Sequence, residues 1–390
     1  MNAALETLML AFASEGGLPN TVSFAGGQAS RLSGPTGVPP VVSSADRRDA
    51  LSSLTGGTPV FLSRKANPTV LDGLPVPARA MMLGAQAHPA LAHWPELTGW
   101  QPLKPLAAAW ERAGLVRVAC PAGRFPLVLV LPGKSRDETL AWFALARGLL
   151  EPGGRLLAAM PNTAGAARFE KELANACGHI TSLQKHKCRA FHALDDGGWR
   201  EEVFAGWRIL GERRVIPNTS FIVEPGVFSV DHIDPGSAFL AGHLPGSLRG
   251  SVADLGAGWG FLSDAVLRHC PRVERIDLFE ADARALDCAR LNLAGHAREI
   301  RFHWHDVCEG IAGGYDAIVM NPPFHTGQAT DVDLGRAFLR SAAAALKRGG
   351  KLYLVANRQL AYEAVLEASG LAWRNAGEDK GYKLLFAERR

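Results

Sequence analysis

Between Ser251 and Ala356 short apolar runs alternate with helical ones, and this alternation restricts the fold more than any other feature of the chain. SVADL, RIDLFE, IRFHWH, YDAIVM and KLYLVA suit buried strands, while ADARALDCARLNL and DLGRAFLRSAAAALK are helical in period and composition. Strands separated by helices pair in parallel through right-handed crossovers, which predicts an α/β, doubly wound, Rossmann-like sheet. The tail after Gly370 departs from the pattern. LAWRN, a turn region near Gly377 and YKLLFAE read as a closing hairpin that adds an antiparallel strand.

The N-terminal half repeats part of this plan. PLVLVLPGK, the helix DETLAWFALARGLL and EPGGRLLAAMPN correspond to YDAIVMNPP, its helix and KRGGKLYLVAN, and each copy continues to a late strand, KCRAFHAL or YKLLFAE. The reading is an internal duplication, with one domain over residues 1–198 and a second over 199–390. The copies differ in chemistry. Where the second has DLGAGWG the first has MMLGAQAH, with one glycine, and where the second has NPPF the first has LPGK. The first copy is therefore expected to be degenerate, without a cofactor pocket or a catalytic loop. Residues 198–236, rich in Trp, Gly and Pro, read as a lead-in hairpin, and residues 27–48 as an exposed Gly/Pro/Ser-rich loop.

Composition excludes several classes. The chain's 390 residues suffice for two cores, and 47% hydrophobic with 21% charged residues is ordinary for a globular protein. No apolar run reaches the roughly 18 residues of a membrane span. The start, MNAALETLML, has no basic leader and carries Glu6, which argues against a secretory signal. Six scattered cysteines form no CxxC pair, which fits a reducing cytoplasm and a chain without a zinc ribbon. The small net charge of +4 is uneven. Residues 1–215 hold 23 Lys and Arg against 17 Asp and Glu, so this part is the expected partner of a polyanion.

Asp254-Leu255-Gly256-Ala257-Gly258-Trp259-Gly260 ends a strand and opens a helix. Glycines there let the backbone turn sharply and approach a ligand, and the helix N-terminus favours a negative group, here a methionine carboxylate. Such a loop alone also serves dinucleotides. Glu280, at the end of the next strand, is placed to accept hydrogen bonds from both ribose hydroxyls, and Asp306, at the end of the third, to accept the adenine amino proton. Every expected pocket residue lies in the second half, which predicts that this half holds S-adenosyl-L-methionine by itself.

Asn321-Pro322-Pro323-Phe324, after the fourth strand, selects the acceptor. An exocyclic amino group on a base, or a carboxamide nitrogen, has a delocalised lone pair and is a poor nucleophile, so the site must hold it towards the methyl donor and accept its hydrogens. Asn321 offers a side-chain oxygen and Pro322 a backbone carbonyl, while Phe324 offers a face for stacking. Asn321 is also counted with the cofactor-binding residues.

Asp254 to Gly260, Asn321 to Phe324 with His325, and PGVFSVDHIDPGS at 225–237 resemble the bacterial ribosomal RNA guanine-N2 methyltransferases, the small-subunit branch first and the large-subunit branch next. Members of that family are two class I methyltransferase-like domains in tandem, the first degenerate. The resemblance implies cofactor roles for Asp254, Gly256, Gly258, Glu280 and Asp306, and catalytic roles for Asn321 and Phe324. It implies N2-methylguanosine formation in ribosomal RNA, within an assembled or assembling small subunit; a monomer is expected, and no metal, since methyl transfer from a sulfonium needs none. Trp259 departs from the small or polar residue such loops usually carry. The alternatives are a large-subunit enzyme, a protein glutamine or DNA adenine methyltransferase, and a non-catalytic RNA-binding assembly factor. His303, His305 and Cys308 are set aside as a metal site for want of a fourth ligand. Lys185-His186-Lys187-Cys188-Arg189 and Lys134 remain candidates for RNA phosphates.

Overall fold

A computed structural model describes residues 3–9, 77–323, 325–326, 329–330 and 332–390. The Gly/Pro/Ser-rich run at 27–48 and Phe324 lie outside the described residues. The first half holds α1 (Ala3–Met9), β1 (Arg79–Leu83), β2 (Glu96–Trp100), α2 (Lys104–Arg112), β3 (Val116–Val118) and β4 (Phe125–Val130). It continues with α3 (Arg136–Leu149), β5 (Leu150–Pro161), α4 (Ala166–Cys177), β6 (Thr181–Lys185) and β7 (Cys188–Leu194). A link of α5 (Glu201–Leu210), β8 (Arg214–Val215), β9 (Ile222–Val223) and α6 (Pro235–Ala241) leads to the second half. There follow β10 (Arg249–Leu255), α7 (Phe261–His269), β11 (Arg272–Glu280), α8 (Ala283–Asn292), β12 (Glu299–Trp304) and β13 (Tyr315–Met320). After the small pair β14 (His325–Thr326) and β15 (Ala329–Thr330) come α9 (Val332–Ala345), β16 (Leu346–Asn357), α10 (Glu363–Ala368), β17 (Leu371–Asp379) and β18 (Tyr382–Arg389).

The two large sheets have one order. The first runs β3-β2-β1-β4-β5-β7-β6 and the second β12-β11-β10-β13-β16-β18-β17, which is the same sequence of strands in each copy. In each, six strands run one way and the sixth in the order, β7 or β18, runs antiparallel between its neighbours. Both faces of each sheet carry an apolar core, as a parallel sheet requires. Leu255 and Ile318 face one side of the second sheet, and Val252 and Val319 the other. Helices start where the chain supplies acceptors: Ser135 caps α3, Asp234 caps α6 and Asp282 caps α8.

Two local expectations are corrected. The tail hairpin turns at Lys380-Gly381, both left-handed, and Gly377 instead sits at a bulge where the register against β18 shifts. The link is also more than a hairpin, because α5 precedes the short β8–β9 pair. Trp199, Phe204 and Trp207 pack into the core beneath α3, so the first core runs past residue 198.

The copies meet through equivalent segments. Register along β1–β2 and β10–β11 aligns Trp100 with Phe279, hence Gln101 with Glu280 and Leu103 with Asp282. Leu103 and Asp282 form an antiparallel bridge. The Lys104 amide donates to the Ala281 carbonyl at 2.8 Å, and the Ala283 amide donates to the Pro102 carbonyl at 3.0 Å. These two bonds exchange when the copies are exchanged, so the domains pair about a pseudo-two-fold axis.

Candidate active site

The carboxyl ends of β10, β11, β12 and β13 open on a cavity of about 470 Å³. Ligands of doubly wound sheets bind at this edge. Gly256, Gly258 and Gly260 take left-handed φ values of 72°, 55° and 93°. A Cβ on Gly256 would meet the Phe338 ring at 3.3 Å and one on Gly260 would meet Ala289 at 3.2 Å, whereas Gly258 faces open space. The loop is therefore a bare backbone surface at the opening of α7.

Glu280 joins this loop to the next strand end. One carboxylate oxygen accepts the Gly258 amide at 2.7 Å and the other the Asp282 amide at 2.8 Å. Burial pushes its pKa up, and these backbone donors oppose the shift. Glu280 and Asp306 both line the cavity. Asp306 also caps the short 3-10 turn Val307–Glu309 through the Cys308 amide, so the structural and the lining roles coexist in one side chain. Asp254 is placed differently. It is fully buried beneath the loop, with Oδ2 accepting the Ser263 hydroxyl at 2.7 Å and Oδ1 without a partner. Burial raises its pKa to about 7.

Asn321, Pro322 and Pro323 line the same cavity from the end of β13. The Asn321 amide nitrogen donates to Asp234 at 2.8 Å, and the hydroxyl oxygen of Ser237 lies 2.9 Å from it. An ionised carboxylate only accepts, so these contacts fix which end of the amide is nitrogen. Oδ1 is left for an incoming group. Asp234 at the same time caps α6 through the Ser237 amide at 2.8 Å.

This set fits S-adenosylmethionine: an apolar cavity, two carboxylates at successive strand ends and a glycine loop at a helix start. A family model described as the methyltransferase small domain matches residues 218–386. Ribosomal RNA small subunit methyltransferase C of Pseudomonas paraeruginosa is 31% identical over 335 residues, covering 83% of this chain and 95% of that protein. The Citrobacter koseri protein of the same name is 30% identical over 292 residues, covering 75% and 82%. The chain belongs to the ribosomal RNA small subunit methyltransferase C family. A solved member of that family, the T. thermophilus 16S rRNA N2 G1207 methyltransferase in complex with AdoMet and guanosine, matches with a TM-score of 0.69 at 26% identity. The match spans 80% of this chain and 88% of that one. This chain is thus an S-adenosylmethionine-dependent methyltransferase with two methyltransferase-like domains.

Within this member of the family the first copy keeps the frame and has filled the site. Gln101, equivalent to Glu280, accepts the Leu103 amide at 3.0 Å as Glu280 accepts that of Asp282. Its amide nitrogen then donates to the Ala85 carbonyl, where Glu280 accepts a loop amide. Leu131, buried, stands where Asn321 stands, and Trp142 replaces Phe338. A Cβ on Gly84 would lie 2.8 Å from the Trp142 ring. The larger indole thus lies closer to its loop glycine than Phe338 does to Gly256.

Sequence reasoning missed several contributors. Asp234 and Phe228 lie in the run quoted for the resemblance, and Phe228 lines the cavity with 62% of its surface exposed. Leu103 and Leu106 line it from the first half, so the cavity is not built by the second half alone. Trp259 has a structural part: its indole donates to the Phe228 carbonyl at 2.9 Å and packs on Phe221 and Phe261, which ties the link to the glycine loop.

The features set aside have local partners. His303 stacks on Phe279, and His305 contacts the Gly310 carbonyl at 2.6 Å. No group of three potential metal ligands occurs among the described residues. No helix among them is long and apolar enough to cross a membrane.

Proposed function

We propose that Asn321 and the Pro322 carbonyl receive the 2-amino group of a guanine in small-subunit ribosomal RNA, and that Glu280, Asp306 and the loop at Gly256 and Gly258 hold S-adenosylmethionine beside it. The observation that carries this reading is the Asn321 amide, pinned by Asp234 so that an acceptor is left at the cavity. A guanine amino group has two hydrogens to donate and a lone pair tied up in the ring. Accepting both hydrogens lets the nitrogen move towards tetrahedral geometry, with its lone pair aimed at the methyl carbon. The cofactor supplies an electrophilic methyl on a sulfonium. As the N–C bond forms the C–S bond breaks, leaving a thioether, and the amine proton passes to water. Asp254 holds the glycine loop from below, and the rings of Phe324 and Phe228 serve for stacking on the extruded base, worth about 1–3 kcal/mol.

The first domain holds the ribosomal substrate. Its basic surplus supports this, and so does the Lys185-His186-Lys187 tip of the β6–β7 hairpin, which is exposed. Arg189 does not belong to that surface, because it is paired with Glu170. The enzyme works as a cytoplasmic monomer, in which the pseudo-two-fold pairing joins the two copies of one chain.

Asn321→Ala tests the chemistry. Single-turnover transfer of a labelled methyl group to small subunits should fall by more than a hundredfold, with cofactor affinity unchanged within a few fold. Near-normal turnover would remove the amino-group mechanism.

A further inference from the structure

The cavity described above has a wall that the catalytic domain does not supply. Leu103, Pro105 and Leu106, at the start of α2, line it together with Glu280, Ala281, Asp306 and Val307. Leu103 is 37% exposed and Pro105 is exposed as well, although α2 packs its other side into the core through Ala107 and Trp110. An apolar surface held open beside two carboxylates suits a planar, polar-edged heterocycle. It presents a face to stack on, while the acids take the edge.

The wall is held firmly. The bridge at Leu103 and Asp282 fixes it two residues from Glu280. The Trp304 indole donates to the Pro102 and Ala281 carbonyls at 2.9 and 2.8 Å, binding both sides of the junction at once. Lys104 and Arg117 cover the same indole at 4.7 and 4.9 Å from its centroid.

Pseudo-symmetry gives an independent reason to read this as a closing element. Where the start of α2 reaches over the second domain's cavity, the start of α8 reaches over the filled site of the first. There Arg284, the counterpart of Pro105, pairs with buried Glu138 and lies 5.9 Å from the centroid of Trp142. Each domain thus caps the strand ends of the other. One cap meets the other domain through a buried ion pair, and the other leaves leucines facing an open cavity.

We infer that the first domain completes the cofactor site, with Leu103, Pro105 and Leu106 forming the wall against which the adenosine end of S-adenosylmethionine packs. This rests on the assignment of Glu280 and Asp306 to that end. Cofactor binding is therefore linked to the domain interface, and a catalytic domain without its neighbour has an incomplete pocket.

The test uses the full chain carrying Leu103→Ala and Leu106→Ala together, titrated calorimetrically with S-adenosylmethionine and, separately, with adenosine. Loss of two leucine faces should raise the Kd for both by about tenfold or more. The melting temperature without cofactor should stay within about 2 °C, because Leu103 is already exposed. Replacing both leucines by methionine should restore most of the affinity. Unchanged affinity in the alanine pair, with Glu280→Ala still weakening binding, would overturn the wall and leave the site standing. Unchanged affinity in Glu280→Ala would instead overturn the site assignment itself. A drop in melting temperature together with lost affinity that methionine does not recover would also overturn the wall, since it would mark a structural role only.

Discussion

Asp234→Asn removes one charge and keeps nearly the same shape. At the N-cap asparagine serves as well as aspartate, so the bond to the Ser237 amide at 2.8 Å survives and α6 should remain in place. The effect falls on Asn321. Its amide nitrogen now donates to a carboxylate at 2.8 Å, a charge-assisted bond worth about 1.5–3 kcal/mol. With a neutral amide at 234 the oxygen that caps α6 still accepts from Asn321, so the preference weakens from a charge-assisted bond to a neutral one, and Asn321 turns over more readily so that its own nitrogen faces the cavity. A donor would then confront the hydrogens of the target amine. Since this contact matters in the transition state, the difference between a charge-assisted and a neutral bond, about 1–1.5 kcal/mol, appears in rate as roughly five- to tenfold. Single-turnover methyl transfer and cofactor titration should be run side by side, with Asp234→Glu and Asn321→Ala for comparison. The expected pattern is a lowered rate, unaltered cofactor Kd, and a melting temperature within about 2 °C of the parent. A rate within twofold of the parent would refute the claim that Asp234 orients Asn321.

Three further outcomes follow from the same geometry. Asp254 has its folded pKa raised to about 7 against about 4 unfolded, so the folded state binds the extra proton between those values. The cofactor-free protein should therefore lose stability as pH rises from about 4 to 7, by up to about 4 kcal/mol. In Asp254→Asn much of that slope should vanish in urea titrations, and an unchanged slope would contradict it. Arg284→Met strands the buried Glu138 carboxylate, whose pKa burial already raises against the pull of Arg284, and should cost about 3–5 kcal/mol by denaturant unfolding. Adding Glu138→Gln should recover part of this, since Arg284 also pairs with Asp282 at 2.8 Å, and no recovery would place the whole cost at Asp282. Lys185→Glu with Lys187→Glu, sparing the paired Arg189, should weaken ribosome binding and reduce the salt slope by roughly 1–2 with stability unchanged. Equal slopes would place the contact elsewhere.

The architecture was legible because its signals are local. Buried parallel strands read as continuous apolar runs, and YDAIVM coincides with β13 as residues 315–320. The duplication was legible for the same reason, and the two sheets share one strand order. Glu280 and Asp306 could be named because ligands gather at strand ends, and both line the cavity. What escaped depends on distant contacts. Asp234 reaches Asn321 across 87 positions, and only its place as the cap that opens DPGS marks it in the sequence. Leu103 and Leu106 belong to a domain whose own motifs are lost, so nothing local ties them to a pocket built by residues far ahead. Gly377 drew the turn assignment because glycine favours turns, but the left-handed pair Lys380-Gly381 made it.

The central claim is that this chain transfers a methyl group to the 2-amino group of guanine in small-subunit ribosomal RNA through the acceptors at Asn321 and Pro322. The direct measurement incubates purified protein and labelled S-adenosylmethionine with small subunits that lack the modification, then digests the RNA and resolves its nucleosides by mass spectrometry. The account predicts label in N2-methylguanosine alone with the parent chain, and none with Asn321→Ala. Label in a different nucleoside or in ribosomal protein, or undiminished N2-methylguanosine with the variant, would contradict it.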